Sequence, residues 1–191
     1  GQHCARIWAA RGDALFLVGR QAERLATMAQ DLKVRGATQT YIHCTDLNQL
    51  EQHPFILEAA VSAMGDVDQV LVSHGTLSDQ AACQRSVAQT MQEISTNALS
   101  TISLLTLLAE LLESRRSGTL CVISSVAGDR GRATNYIYGS AKAMVTTFAS
   151  GLRQRLHASN VTVVTIKPGF VDTPMTAAFN TRFLWAQPSA V

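Results

Sequence analysis

Five short apolar segments, rich in β-branched residues, alternate with amphipathic segments along the chain. The short segments are predicted strands, and they read "ALFLVG" from Ala14, "TQTYIHC" from Thr38, "QVLVS" from Gln69, "TLCVIS" from Thr119 and "VTVVTIK" from Val161. Apolar residues at helical spacing predict helices around the strands: at Ala5 to Ala9, Leu25 to Gly36, Leu50 to Met64, about Val87 to Ser114, and about Tyr136 to His157.

This alternation predicts an α/β fold. Strands that alternate with helices are typical of parallel strands joined by right-handed crossovers, with helices covering both faces of an open, doubly wound sheet of the Rossmann type. The expected architecture has three layers, α/β/α, and residues 1–191 are expected to form one domain.

Composition and charge are those of an ordinary globular protein. The chain of 191 residues is 47% hydrophobic and 16% charged, with a formal net charge of +2. No block of like charge is longer than the pair Arg115 and Arg116, so nucleic-acid binding is not expected. The most apolar stretch, Leu99 to Leu112, is interrupted by polar residues and is too short for a membrane span, and we expect a buried helix there.

The cysteines indicate free thiols rather than a disulfide framework or a metal site. The chain has four cysteines, far apart and without CxxC pairs or the Cys/His spacing of zinc sites: Cys4, Cys44, Cys83 and Cys121. His43 beside Cys44 has no companion ligands, so no metal is expected. Free thiols favour a reducing compartment, and we expect a cytoplasmic protein.

Polar and small residues directly follow each predicted strand. In a parallel sheet the ligand binds beyond the carboxyl ends of the strands, which makes these residues candidates for a binding site. They are Gly19-Arg20, Thr45-Asp46, Ser73-His74-Gly75, Ser124-Ser125 and Lys167-Pro168-Gly169.

The segment "NYIYGSAKAM" places Tyr138 and Lys142 four residues apart on one helix face, with Tyr136 round the side. The ordinary pKa of a phenol is about 10, and a nearby ammonium is expected to lower it. Tyr138 could then exchange a proton with an alcohol or a carbonyl oxygen. Ser125, at a strand end, could hydrogen-bond the same oxygen, so the three residues predict a carbonyl/alcohol site that lacks only a hydride donor.

At these residues the chain resembles the short-chain dehydrogenase/reductase family over nearly its whole length. "YGSAK" matches the YxxxK motif of that family, "VISS" its serine-bearing strand, "PGFVDT" its PG-x-V-x-T loop, and "STNALS" the segment with its active-site asparagine. The separations from Asn97 to Ser125 and from Ser125 to Tyr138 agree with the family as well. Four motifs in the right order are far more specific than YxxxK alone.

The resemblance implies catalytic roles for four residues. Tyr138 would be the general acid/base, and Lys142 would lower the pKa of Tyr138 and hold the nicotinamide ribose. Ser125 would orient the substrate carbonyl. Asn97 would bind a water that links Lys142 to solvent in a proton relay. Taken singly, each residue has a plainer alternative as a surface, turn or helix-interior residue, and Tyr136 is expected to be a pocket or packing residue.

The resemblance also implies a nicotinamide cofactor. Asp46 and Leu47 would lie against the adenine, and Thr173 with the backbone near Val171 would bind the carboxamide. Arg20 stands where an enzyme that selects NAD often has an acid, and its guanidinium suits a 2′-phosphate, so NADP(H) is expected rather than NAD(H). The alternative for Arg20 is a surface charge. Further expected cofactor contacts are Gly1, Ser73, Gly75, Tyr138, Lys142, Pro168 and Gly169.

Three features depart from the family pattern. Of the TGxxxGxG turn only the last glycine can be present, as Gly1, and the preceding strand, central in the order 3-2-1-4-5, is absent. We therefore expect a fragment of a longer chain that binds cofactor poorly by itself. "LWAQPSAV" is expected to begin another helix, and the last strand of the family is missing. "SHGT" stands where many members have NNAG, and His74 is expected to take over the hydrogen bonds of the replaced asparagine.

The sequence gives less specific indications of the substrate and of the oligomeric state. The loop "SSVAGDRGRATNY" with "HGTLSDQ" resembles reductases that act on a keto-sugar carried by a polyprenyl phosphate, and Arg130 and Arg132 could meet an anionic substrate or be solvated. Oxoacyl thioesters, steroids and simple sugars stay open. In this family two helices commonly pair between subunits, so a homodimer or homotetramer is expected. The alternative functions are a catalytically silent, cofactor-binding regulator and a pure interaction domain.

Overall fold

The computed structural model describes residues 1–176 and 185–190. The chain divides into two compact units, Gly1–Asp68 and Gln69–Val191, and each unit is described by itself. The interpretation of residues 1–191 as one domain stays a prediction.

The first unit packs helices against a two-stranded sheet. Its elements are α1 (Gln2–Ala10), β1 (Leu15–Gly19), α2 (Ala22–Val34), β2 (Thr40–Cys44), a 3₁₀ turn (Leu50–Gln52) and α3 (His53–Met64). Strands β1 and β2 are parallel, with Leu15 opposite Thr40 and Gly19 opposite Cys44. One buried cluster of this unit consists of Ala5, Ala9, Leu15, Leu32 and Ala37, with Trp8, Leu17 and Met28 packed against it.

The second unit contains a three-stranded parallel sheet in the order β3-β4-β5. Its first elements are β3 (Gln69–Val72), α4 (Gln80–Cys83), α5 (Val87–Ile94), a π-helical segment (Ser95–Leu99) and α6 (Ser100–Arg115). They are followed by β4 (Gly118–Ile123), a 3₁₀ turn (Val126–Gly128), α7 (Tyr136–His157), β5 (Val161–Ile166) and 3₁₀ turns at Pro174–Thr176 and Pro188–Ala190.

All five predicted strands are present and parallel to their neighbours, with ends within two residues of the predicted ones. The predicted long helix, roughly Val87 to Ser114, is confirmed as the helical stretch Val87–Arg115. A π-helical segment interrupts it where Asn97 turns fully into the protein interior, and the loop before it contains the short helix α4. Parallel register places the ends of β4 and β5 together, with Ile123 opposite Ile166.

The residues of "LWAQPSAV" that the structure describes do not form the predicted start of a helix. Ala186 forms a parallel bridge with Val171, Phe170 stacks on Trp185 at 5.3 Å, and a 3₁₀ turn covers Pro188–Ala190. Pro188 cannot donate a backbone hydrogen bond, which favours such a short turn. Leu184 and Val191 lie outside the described residues.

The continuous helical stretch Val87–Arg115 is, within residues 1–176 and 185–190, the one helix long and apolar enough to cross a membrane by length and composition. Core helices of globular proteins meet the same criterion. Buried apolar side chains of α6 are Leu104, Leu105, Leu108, Ala109 and Leu112, which is the burial expected from the sequence for this stretch.

Candidate active site

Tyr138 and Lys142 lie one turn apart on the first half of α7, as their spacing predicts. The Lys142 side chain is almost completely buried, with 4% of the residue exposed. Its Nζ donates a hydrogen bond to the carbonyl oxygen of Ile123 at 3.1 Å and lies 5.7 Å from the centroid of the Tyr138 ring. The end of β4 therefore supplies the acceptor that holds a buried ammonium beside the tyrosine.

The pKa of Tyr138 does not follow the expectation from sequence. Burial raises the pKa of the phenol above its ordinary value, and a hydrogen bond with Ser125 acts in the opposite direction. Burial also lowers the pKa of Lys142, to about 8. The ammonium thus loses its charge at a lower pH than the phenol ionises. The pKa of Tyr138 is raised in the protein without a nucleotide, whereas the sequence led us to expect a lowered one, and the role of Lys142 stays a prediction.

Ser125 lies directly beyond β4 and begins the 3₁₀ turn Val126–Gly128. Its Oγ accepts a hydrogen bond from the Ala127 amide at 3.1 Å and approaches the Pro168 carbonyl oxygen at 3.5 Å. The same hydroxyl lies near enough to Tyr138 to act on the pKa of the phenol, which it lowers. The structure therefore brings together the serine and the tyrosine that the sequence assigns to one substrate oxygen.

Ser124 has a different environment from its neighbour. It is buried, and its Oγ lies 2.9 Å from the Lys142 carbonyl oxygen and 2.7 Å from Thr146 Oγ1. These contacts fasten the end of β4 to the middle of α7. Of the two serines after the strand, Ser124 is thus a packing residue and Ser125 is the one that contacts the tyrosine.

Two glycines, which the sequence analysis did not single out, allow the 3₁₀ turn to approach α7. A Cβ on Gly128 would lie 2.7 Å from the Ala143 amide nitrogen and 2.8 Å from the Lys142 carbonyl carbon. A Cβ on Gly139 would lie 2.7 Å from the Ala127 carbonyl oxygen. Both contacts are with backbone, which cannot move aside as a flexible side chain can. The only signal in the sequence is the small residue at each position.

Asn97 lies in the π-helical segment and is fully buried. Its Nδ2 donates to Thr76 Oγ1 and to Glu93 Oε2, both at 3.0 Å, and its Oδ1 accepts from the Thr76 amide at 2.9 Å. A Cβ built on Gly75 would lie 2.7 Å from Asn97 Oδ1 and 3.7 Å from Lys142 Nζ. The space at Gly75 therefore borders both the amide of Asn97 and the ammonium of Lys142.

His74 binds the helix that follows the π-helical segment. Its Nε2 lies 2.7 Å from Ser100 Oγ and 3.5 Å from Thr101 Oγ1. Ser100 Oγ donates its single proton to the Thr96 carbonyl oxygen, so the Nε2–H tautomer of His74 is the one that fits. These bonds tie the end of β3 to α6, which agrees with the structural role expected for His74.

The other expected cofactor contacts of the second unit lie beyond β3 and β5. Ser73 is exposed, and no atom would lie within 4 Å of a Cβ on Gly169. The Pro168 carbonyl oxygen accepts from the Val126 amide, and the Val171 carbonyl oxygen accepts from Thr176 Oγ1 at 2.6 Å. The Thr173 hydroxyl lies 3.3 Å from the same Thr176 oxygen.

The expected contacts of the first unit lie at the ends of its strands and at its first helix. Arg20 follows β1 and is exposed, and its carbonyl oxygen accepts from Cys44 Sγ at 3.5 Å. Asp46 follows β2, and its Oδ1 accepts from the Asn48 amide at 3.0 Å. The Leu47 carbonyl oxygen lies 3.0 Å from Nε2 of the buried His53, and Gly1 caps α1. An open pocket is lined by the first turn of α2, which follows Arg20.

Among residues 1–176 and 185–190, no group of three or more His, Cys, Asp or Glu is arranged to hold a metal ion. In the same residues Cys4, Cys44, Cys83 and Cys121 are free thiols, as expected from their spacing.

The buried ammonium of Lys142 generates a prediction about stability. Because the pKa is about 8 in the folded chain and 10.5 in the reference state, the unfolded chain retains the proton between these values while the folded chain has lost it. The free energy of unfolding should therefore rise with pH across this interval. Below pH 8 the buried ammonium is charged and lowers the stability of the folded chain. Replacing Lys142 by Met removes this unfavourable effect at pH 7, but it also removes the hydrogen bond to Ile123. The net result should be an increase of about 2 kcal/mol in the free energy of unfolding.

Urea unfolding of the wild type and of Lys142→Met, at pH 7 and at pH 10, checks this prediction. The advantage of Lys142→Met should shrink or reverse at pH 10, where the wild-type lysine is neutral in the folded state. A variant that is less stable at pH 7, by an amount that does not change with pH, would contradict it.

Comparison with solved structures shows what the fold resembles. An alcohol dehydrogenase from the archaeon Thermococcus sibiricus, complexed with 5-hydroxy-NADP, superposes with a TM-score of 0.87 at 22% identity, covering 100% of this chain and 81% of the other. A variant of actinorhodin polyketide ketoreductase with NADPH gives 0.86 at 23% identity, covering 93% and 68%. At these identities the similarity concerns the fold alone, and it confirms the Rossmann-type α/β class.

Sequence comparison shows the family. An uncharacterized oxidoreductase of Mycobacterium tuberculosis strain H37Rv is 36% identical over 191 residues, which is 100% of this chain and 76% of that protein. An uncharacterized oxidoreductase of Streptomyces coelicolor is 34% identical over 183 residues, 95% of this chain and 72% of the other. The family model described as short chain dehydrogenase matches residues 1–183. The chain belongs to the short chain dehydrogenase family of oxidoreductases.

Proposed function

We propose that this protein is an NADP(H)-dependent oxidoreductase that moves a hydride between C4 of nicotinamide and a ketone or secondary alcohol. The observation that carries the proposal is the arrangement of Tyr138 beside the buried Lys142, with Ser125 near enough to lower the pKa of the phenol against the effect of burial. Similarity to the alcohol dehydrogenase and the ketoreductase named above, both bound to NADP-type nucleotides, supports the same reaction class.

The roles of the three residues follow from their chemistry. In the reductive direction, a bound NADPH supplies the hydride to the carbonyl carbon. Tyr138 donates its phenolic proton to the carbonyl oxygen, which becomes the hydroxyl of the product. The phenol is protonated at neutral pH, as this donation requires, although its raised pKa in the protein without a nucleotide makes it a weaker acid than an ordinary phenol. Ser125 donates a hydrogen bond to the same oxygen and so fixes the direction of approach.

Lys142 and Asn97 are proposed to replace the proton that Tyr138 gives away. Lys142 has a pKa of about 8, so it carries a proton in most molecules at pH 7 and can release it without a large cost. Its contact with Ile123 uses one of the three ammonium protons, which leaves two for the nicotinamide ribose and for a relay. Asn97 borders the same space at Gly75 and is proposed to continue the relay.

The residues present fit a nicotinamide nucleotide by the chemistry of their donors. Gly75 has φ 152°, a backbone conformation that favours glycine, and it lies so close to Asn97 that a Cβ would collide with the amide oxygen of that residue. We propose that Ser73, Gly75, Pro168, Gly169, Val171 and Thr173 contact the cofactor together with Tyr138 and Lys142. In the first unit we propose the same for Gly1, Asp46 and Leu47, and Arg20 is proposed to bind the 2′-phosphate.

The substrate is proposed to be a small carbonyl compound or alcohol, with keto-sugars and 3-oxoacyl compounds as the first classes to assay. Arg130 and Arg132 are exposed on the loop between the 3₁₀ turn at Ser125 and α7. Two guanidinium groups there suit a substrate with a phosphate or carboxylate at a distance from its carbonyl group. A panel that pairs each neutral ketone with an anionic analogue would separate these possibilities.

Self-association stays a prediction. Exposed apolar side chains of the second unit include Val87 and Met91 on α5 and Tyr136 and Met144 on α7, which offer surface for a second copy. Light scattering that gave a monomer mass for the full-length protein would contradict a dimer or tetramer.

Replacing Tyr138 by Phe tests the catalytic assignment. The change removes only the hydroxyl, so NADPH binding should persist while kcat falls by a factor of roughly 10² to 10⁴, the usual contribution of a general acid. Tyr136→Phe is the matched control, because Tyr136 lies two residues away and is 42% exposed, and it should leave kcat unchanged. The measurement is loss of nicotinamide absorbance with the full-length protein and the carbonyl panel.

Turnover that survives in Tyr138→Phe would contradict the assignment of the acid. A wild-type protein that binds NADPH tightly but reduces no carbonyl compound, and oxidises no alcohol, would favour the regulatory alternative over the enzyme.

Replacing Arg20 by Ala tests the cofactor preference. Loss of a charge-assisted hydrogen bond to the 2′-phosphate should weaken NADPH binding by roughly tenfold to a hundredfold. NADH, which lacks that phosphate, should bind as before. Lys33→Ala, which removes an exposed positive charge from the end of α2, is the control for net charge. Equal effects of Arg20→Ala on the two nucleotides, measured by fluorescence titration, would count against NADP(H).

A further inference from the structure

One carboxylate oxygen in the second unit collects three hydrogen bonds. Glu93 Oε2 accepts from Thr76 Oγ1 at 2.8 Å, from Ser78 Oγ at 2.8 Å and from Asn97 Nδ2 at 3.0 Å. Thr76 and Ser78 belong to the segment between β3 and α4, whereas Glu93 lies in the last turn of α5. A single half-buried carboxylate thus joins the segment after β3 to the helix that leads into Asn97.

The carboxylate determines which way the Asn97 amide faces. Carboxylate oxygens only accept hydrogen bonds, so the side of the amide that faces Glu93 must be the NH₂ group. The opposite side faces the Thr76 backbone amide, which only donates and therefore requires the amide oxygen. A reversed Asn97 would place oxygen against oxygen at Glu93 and donor against donor at Thr76. The Thr76 hydroxyl closes the ring, because it accepts from Asn97 and donates to Glu93.

The orientation of Asn97 matters because of what lies on its other side. The Asn97 amide oxygen and Lys142 Nζ both border the space at Gly75, at 2.7 Å and 3.7 Å from where a Cβ would lie. Asn97 also sits in the π-helical segment, a local departure from α-helical bonding that is frequent at functional sites. A rotation of this amide would replace an acceptor by a donor beside the buried ammonium.

We propose that Glu93 is a positioning residue for the reaction: it fixes the Asn97 side chain, and the segment from Gly75 to Ser78, in the arrangement that the proton relay to Lys142 needs. This inference rests on the proposed function for its kinetic consequence. Its structural part, the orientation of Asn97 by Glu93, is independent of turnover. The side-chain hydrogen bonds of Glu93 are with Thr76, Ser78 and Asn97, and of these Asn97 is the residue proposed to take part in the relay, so Glu93 is proposed to act on the chemistry through Asn97.

A double-mutant cycle tests the kinetic part in the full-length protein. Glu93→Leu keeps a side chain that is not branched at Cβ and a strong helix-forming character but removes the acceptor, and it should lower kcat by about tenfold to a hundredfold with little change in NADPH binding. Since Glu93 acts through Asn97, the double variant Glu93→Leu/Asn97→Ala should be no slower than Asn97→Ala alone. Gln89→Ala, an exposed change on the same helix, should leave kcat unchanged.

The conservative variant Glu93→Gln distinguishes loss of the hydrogen-bond acceptor from a failure of Glu93→Leu to fold. Its amide oxygen can still accept from the three donors, so it should recover most of the activity that Glu93→Leu loses. Additive losses in the cycle, or wild-type kcat in Glu93→Leu, would overturn the proposal.

Hydrogen exchange of the Asn97 side-chain NH₂, followed by nitrogen-15 NMR, gives a readout that needs no turnover. Asn97→Asp identifies the signal. The wild type and Glu93→Gln should show a slowly exchanging pair, and Glu93→Leu should exchange at least tenfold faster because the main acceptor is gone. Unchanged exchange in Glu93→Leu overturns the inference even if the protein is an active reductase. Wild-type protein without turnover, but with the expected exchange, overturns the proposed function and leaves the orientation of Asn97 by Glu93 supported.

Discussion

The candidate site depends on the close approach of one short turn to one helix. The 3₁₀ turn Val126–Gly128 lies so near α7 that a methyl group at Gly128 would collide with the backbone of the helix. Because the turn begins at Ser125 and the facing part of the helix carries Tyr138 and Lys142, this contact sets the distance between the three side chains. Ser124 strengthens the contact through the Lys142 carbonyl group. The reactive geometry is therefore a property of backbone packing.

Burial at this contact explains the electrostatics of the site. Removing water disfavours the charged forms of both groups, so the pKa of Tyr138 rises and that of Lys142 falls to about 8. In the free protein the lysine is neutral before the tyrosine ionises. A bound dinucleotide with ribose hydroxyls at Lys142 and a charged nicotinamide ring near Tyr138 would change this balance. At neutral pH the site as folded holds a protonated phenol.

Much of this arrangement could be predicted from the sequence. The strands could be predicted because each is a short run rich in β-branched residues. Parallel topology then brings the residues beyond the strand ends to one edge of the sheet, and Ser125 lies directly beyond β4 as predicted. Other features depend on contacts distant in sequence. Glu93 meets Thr76 across 17 residues, Gly128 is needed only because Ala143 lies against it, and no residue type marks a π-helical segment. The direction of the pKa shift of Tyr138 could not be predicted, because it depends on how deeply the phenol is buried and a sequence motif does not give that.

The most direct test of this account is the titration of Tyr138 with and without a bound nucleotide. Carbon-13 labelling of the tyrosine rings gives one signal for each tyrosine, those of residues 1–191 being Tyr41, Tyr136 and Tyr138, and Tyr138→Phe identifies the signal of Tyr138. We expect the Tyr138 phenol in the free full-length protein to ionise above its ordinary value of about 10, and saturating NADP⁺ to lower this pKa. A Tyr138 pKa that is the same in the free protein and in a demonstrated NADP⁺ complex would contradict the account.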